Sequence, residues 1–203
     1  MSKGRVEAFS DGVIAILITI MVLDLHRPHS TSWSALHGSF SVLLAYALSF
    51  IYLGIYWNNH HHMLAAVSRI TGGALWANLH LLFWLSLTPF VTSWMSTSKR
   101  HFETVPVACY GIVLLAAAIA YYILQTVLIR GEGDDSRLRT AVSSDIKGKI
   151  SPALYILGVG LTFVDRWFGL AIYVIVALVW LVPDRRVERH LIAQQQQAAD
   201  QQS

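Results

Sequence analysis

Six apolar blocks dominate the sequence, at about residues 5–25, 36–58, 73–96, 104–129, 149–164 and 167–183. A helix that crosses the hydrocarbon core of a bilayer needs roughly 20 such residues. The mean hydropathy of +0.51, with 55% hydrophobic and 13% charged residues, lies far from soluble averages. These runs exclude an ordinary water-soluble core. They predict an all-α integral membrane protein with six transmembrane helices.

The first block, "GRVEAFSDGVIAILITIMVLDL" at residues 4–25, begins with charges. Lys3 and Arg5 ahead of an apolar run resemble a secretory leader, but Asp11 interrupts the would-be apolar core. No small-residue cleavage site follows before "DLHRPH", so a retained helix is expected. With six spans, one side holds both termini and Lys3, Arg5, Arg69, Arg130, Arg137, Arg139, Lys147, Lys149, Arg185, Arg186 and Arg189. The other side holds Arg27, Lys99, Arg100 and Arg166. Eleven cations against four predict that both termini are cytoplasmic. The net charge of +3 is thereby a topological signal, which needs no nucleic acid to explain it.

The longest polar stretch, "RGEGDDSRLRTAVSSDIKGK" at 130–149, reads as a cytoplasmic loop between the fourth and fifth helices. "VDRW" joins the last two helices as a tight hairpin. One membrane domain over 1–190 and a disordered Gln-rich tail over 191–203 are expected. Cys109 stands alone, so neither a disulfide framework nor a cysteine metal site is expected.

Polar residues at membrane depth need partners inside the bundle. Asn78 and His80 in the third block are such residues, and Pro89 should kink that helix. His60, His61 and His62 suggest a metal site, but adjacent helical residues point about 100° apart and cannot converge on one ion. No metal and no cofactor are expected.

On a helical wheel, Arg5, Phe9, Gly12, Ile16, Ile20 and Leu23 share a sector of about 80°, with Thr19 at its edge. Asp11 lies roughly 140° from Ile16, with Glu7 on the same far side. One helix thus carries a nearly apolar stripe and, at its cytoplasmic end, a separate acidic edge. Lipid penalises that edge, so it should face other helices or water.

"RVEAFSDGVIAI" resembles the R-x-x-x-F-S-D opening of the transmembrane protein 175 family of potassium channels, in a prokaryotic single-repeat form. "WNNHH" at the end of the second helix and "LWANL…PF" in the third are similar too. The resemblance implies a homotetramer whose first helices line a central pore. It further implies a constriction at Ile16, with Ile20 and Leu23 in the following turns and Thr19 as a hydroxyl layer. Arg5, Phe9, Ser10 and Asp11 would clasp this helix to the next two through Trp57, His60, His61 and Asn78. Asp11, as an anion, is expected to accept hydrogen bonds from Trp, His or Asn donors.

The expected function is passive potassium transport in a prokaryotic plasma (inner) membrane. Its partners are potassium ions, the lipid bilayer and copies of the chain itself. No catalysis is expected. The competing readings are a proton-coupled transporter or an integral membrane enzyme built on Asp11 and the helix-two histidines. No internal repeat or pair of broken helices supports transport.

Overall fold

A computed structural model describes residues 2–25, 27–28, 30–97, 102–132 and 146–181. Residues 133–145 of the expected cytoplasmic loop, the last two residues of the sixth block and the Gln-rich tail lie outside them.

Backbone polar groups in hydrocarbon must be satisfied within their own segment, which favours helices throughout. The chain forms α1 (Lys3–Leu23), a short α2 (Trp33–Gly38) and α3 (Phe40–Ala65). These are followed by α4 (Gly72–Ser86), α5 (Thr88–Thr97), α6 (Thr104–Glu132), α7 (Ile146–Thr162) and α8 (Arg166–Leu181). The six apolar blocks correspond to α1, α3, the α4–α5 pair, α6, α7 and α8. Among the described residues, four helical stretches are long and apolar enough to cross a membrane: Lys3–Leu23, Phe40–Ala65, Gly72–Ser96 and Thr104–Glu132. Helices α7 and α8 are shorter, at 17 and 16 residues.

The third block is broken where proline chemistry demands it. Pro89 has no N–H to offer the carbonyl four residues back, and α4 ends at Ser86 before α5 begins. Side-chain hydroxyls take up carbonyls around the break: Ser86 donates to Phe83 at 2.7 Å and Thr92 to Thr88 at 2.7 Å. At the start of α4, the Thr71 hydroxyl accepts from the Ala74 N–H at 3.2 Å and caps the helix.

Packing divides the bundle in two. One apolar cluster joins α1, α3, α4 and α6 through residues such as Ile14, Leu53, Leu81 and Leu124. The other joins α3, α5, α6, α7 and α8 around Tyr52, Tyr110, Tyr155 and Tyr173. Buried hydroxyls tie α3 to its neighbours within the second cluster. Ser49 donates to Thr92 at 2.7 Å, and Tyr52 donates to the Tyr173 carbonyl at 2.6 Å. Close approach of the helices needs glycine at two places. A Cβ on Gly111 would stand 1.9 Å from the Tyr173 hydroxyl, and one on Gly169 would stand 1.9 Å from the Thr162 hydroxyl.

Helix α1 packs chiefly against α3, α4 and α5, at the edge of the bundle rather than in its middle. That position leaves much of α1 without a neighbour among the described residues of the same chain.

Candidate functional site

The two faces of α1 are sharply different. Val6, Ser10, Ile14, Leu17 and Met21 are buried against the bundle. Their spacing of three or four residues makes one continuous inward face. On the opposite side, Arg5, Phe9, Gly12, Ile16, Thr19, Ile20 and Leu23 are all exposed. Ile16 is 57% exposed and Leu23 78%, whereas Ile14 is 1% exposed. The apolar stripe on the wheel therefore lies on the face that the chain's own bundle leaves uncovered. Ala8, Ala15 and Val22 are also exposed and widen this face on one flank. The Thr19 hydroxyl donates to the Ile16 carbonyl at 2.9 Å, which turns its lone pairs, rather than its proton, outward.

The inward face is held by a buried polar chain. The Asn78 amide donates to the Ser10 hydroxyl at 2.9 Å, and Ser10 donates in turn to the Val6 carbonyl at 2.8 Å. The His60 Nε2 meets Asn78 Oδ1 at 2.7 Å. Because the Asn78 carbonyl oxygen can only accept, Nε2 carries the proton. All three side chains are at most 3% exposed. They join α3, α4 and α1 by neutral hydrogen bonds, which avoid the cost of burying a charge.

Around this chain, the other expected clasp residues are arranged differently. His60 bonds to Asn78 and Asn78 to Ser10, so the α1 residue that meets this chain is Ser10, the neighbour of Asp11. The Asp11 Oδ1 and His60 Nδ1 atoms are buried without a hydrogen-bond partner among the described residues. His61 pairs with Glu7 at 2.9 Å, and the Trp57 ring stacks on His61 with centroids 6.4 Å apart. Glu7 was not among the expected site residues. Its place four residues before Asp11, on the same helical edge, was the available signal. Arg5 makes no side-chain hydrogen bond or ion pair among the described residues, and Phe9 is half exposed. Lys3, also outside the expected set, donates to the Ala65 carbonyl at 3.1 Å and ties the start of α1 to the end of α3.

The three consecutive histidines have three different environments. His60 is buried on Asn78, His61 reaches Glu7, and His62 is exposed beside the His61 ring. His80 corrects an expectation: it does not sit inside the bundle but is exposed. Trp84, one turn later on α4, donates its indole N–H to His80 Nε2 at 2.9 Å. This local pairing lets a polar ring face outward.

Comparison with known proteins adds an independent line. Residues 5–89 match the family described as the endosomal/lysosomal potassium channel TMEM175. A Chryseobacterium protein named as a potassium channel is 53% identical over 191 residues, covering 94% of this chain and 98% of its own length. A Streptomyces collinus protein of the same description is 35% identical, with 87% and 90% covered. The crystal structure of a lysosomal potassium-selective channel TMEM175 homolog from Chamaesiphon minutus superposes with a TM-score of 0.79 at 28% identity. That superposition covers 89% of this chain and 96% of the other.

Proposed function

The chain is a membrane protein of the TMEM175 family, and we propose that it is a potassium-permeable channel in which the first helices of four copies surround the conduction axis. The observation that carries this proposal is the uncovered face of α1, apolar through Ile16, Ile20 and Leu23 and unpartnered among the described residues of its own chain. A single first helix cannot enclose a path. Copies arranged around an axis can, and the exposed stripe is the surface they would present to it.

In this arrangement Ile16 forms the narrowest ring, and Ile20 and Leu23 continue the apolar wall. Isoleucine side chains offer potassium nothing in place of its hydration shell. A narrow ring therefore excludes water and blocks ions, and conduction requires the ring to widen. Thr19 supplies the nearest polar atoms. Its hydroxyl is committed to the Ile16 carbonyl, so oxygen lone pairs face the axis and favour a cation over an anion. Selectivity between potassium and sodium is modest and leans on the easier dehydration of the larger ion. The Ser10–Asn78–His60 chain, with Glu7–His61 beside it, holds α1 in the rotation that aims Ile16 at the axis. Asp11 and Trp57 stand beside this scaffold, Arg5 and Phe9 stand at the cytoplasmic end of the exposed face, and none of the four coordinates the ion.

The transport is passive and involves no catalysis, cofactor or resident metal. The distribution of Lys and Arg supports cytoplasmic termini in a prokaryotic plasma membrane. The deciding experiment is potassium flux from liposomes holding the purified chain, with valinomycin to report vesicle integrity. Flux above protein-free vesicles is expected. A folded protein that elutes as a tetramer and passes no potassium overturns the proposal, and so does a strictly monomeric one.

A further inference from the structure

Three charged side chains open α1, and they go different ways. Lys3 and Glu7 turn back to α3, Lys3 to the Ala65 carbonyl and Glu7 to His61. Arg5, between them, is exposed on the opposite face and makes no side-chain hydrogen bond or ion pair among the described residues. No carboxylate of α1 shares its face. Glu7 and Asp11 stand about 160° and 120° around the helix from Arg5, and Asp24 is about 28 Å further along it. The titratable groups that α3 brings to this end are His60, His61 and His62, none of them an anion.

Arg5 precedes Ile16 by eleven residues, which is three turns and about 20°. The two side chains therefore point the same way, with Arg5 about 16 Å nearer the start of the helix. If four first helices turn Ile16 to an axis, they turn four guanidiniums to the cytoplasmic mouth of the same path. Like charges gathered at one mouth repel each other and the potassium that passes them. A multivalent anion relieves both. The planar fork of each guanidinium fits two oxygens of a phosphate, and linked phosphates present oxygens to several forks at once. Phe9, 51% exposed, lies one turn deeper, about 6 Å along the helix and about 40° round. Four such rings make an apolar floor that gives an anion nothing for its lost hydration, so it stops at the mouth.

We infer that the Arg5 side chains of four copies form one site for a multivalent phosphate anion of the cytoplasm, a triphosphate in particular, at the entrance to the conduction path. The inference rests on the channel reading, because no single chain contains the site. Each copy contributes one guanidinium, and one anion serves the whole assembly. The bound anion offsets the field that potassium meets at the mouth, so conduction answers to a cytoplasmic phosphate compound.

The test uses the full chain in nanodiscs of zwitterionic phosphatidylcholine, where no anionic headgroup competes. Binding of radiolabelled inorganic triphosphate, without magnesium, is measured by equilibrium dialysis. One triphosphate per four chains is expected, with affinity falling as salt is raised, because exposed charges are screened. Arg5→Gln keeps a long polar side chain without the charge and should weaken binding about tenfold or more, as the loss of charged hydrogen bonds predicts. Arg5→Lys should recover part of that loss, since the charge returns without the fork. Should Arg5→Gln not assemble, the stoichiometry on the unaltered protein decides alone. One triphosphate per chain means that Arg5 faces the lipid surface or that the backbone at the start of α1 holds the anion, and overturns the inference. Binding indifferent to Arg5→Gln, or a tetramer that binds no triphosphate, overturns it too. The two readings fail separately: a tetramer that passes potassium and binds no triphosphate leaves the channel standing, whereas a strictly monomeric protein removes both.

Discussion

Replacing Asn78 with alanine is the sharpest perturbation of the α1 anchor. In the folded protein its amide gives a hydrogen bond to Ser10 at 2.9 Å and its carbonyl oxygen accepts one from His60 at 2.7 Å. Truncation strands the His60 Nε2–H in a fully buried site, which costs about 1–3 kcal/mol. Ser10 suffers less, because its own proton still goes to the Val6 carbonyl. Losing the donor to its lone pair costs about 0.6 kcal/mol, the average for side-chain hydrogen bonds between membrane helices. The carboxamide also leaves a small cavity, adding about 1 kcal/mol. The expected total is about 2.6–4.6 kcal/mol, or a fall in melting temperature of about 5–18 °C for a chain of this size. Thermal loss of the folded peak in gel filtration measures it. Ser10→Ala should cost less alone, and less again in the Asn78→Ala background, because the two substitutions delete one shared bond. Strict additivity of the pair, or an Asn78→Ala variant within about 0.5 kcal/mol of the parent, refutes the anchor.

Other substitutions probe the remaining structure. Ile16→Asn puts an amide where the proposed constriction is driest, and should raise single-channel potassium conductance in planar bilayers; an unchanged conductance moves the constriction elsewhere. Gly111→Ala should destabilise by about 1–3 kcal/mol through overpacking against Tyr173. Adding Tyr173→Phe should recover part of that loss, since the nearest atom is the hydroxyl, and no recovery in chemical denaturation assigns the strain to the backbone. Glu7→Gln breaks a pair whose members are 24% and 48% exposed, so its cost should stay below about 1 kcal/mol in the same assay. A loss matching that of Asn78→Ala shows that the pair is sealed from solvent in the assembled protein.

The membrane class and the order of the helices were legible because bilayer thickness imposes one length on every span. The break near Pro89 was legible because a missing N–H has one local consequence. The two faces of α1 followed from the helical period alone. The anchor was half legible, and the half that failed is instructive. Asp11 carries the charge, yet Ser10 lies at the centre of the inward arc while Asp11 lies at its edge. Angular position, not charge, identified the residue that Asn78 would meet. His80 was misplaced for a different reason. Helix α4 is apolar nearly all round, so no period told its inner face from its outer one, and Trp84 at the next turn supplied locally the partner expected from the bundle.

The anchor and the exposed stripe are linked by rotation, and that link can be tested without removing either. Ser10 precedes Ile16 by six residues, which places it about 120° around the helix. A chain that holds Ser10 inward therefore holds Ile16 outward. An alanine inserted between Gly12 and Val13 leaves the anchor untouched but turns everything after it by about 100°. The inward positions now held by Ile14, Leu17 and Met21 would receive Val13, Ile16 and Ile20, all apolar, so the bundle can still pack. The outward positions of Ile16, Ile20 and Leu23 would receive Ala15, Thr19 and Val22. The proposed wall becomes wider and partly hydroxylated without a charge being added. If α1 lines the conduction path, this insertion should yield a folded protein with larger potassium flux and weaker discrimination against sodium in liposomes. If a folded insertion variant conducts as the parent does, the stripe faces lipid or a neighbouring subunit, and the axis is lined by another helix.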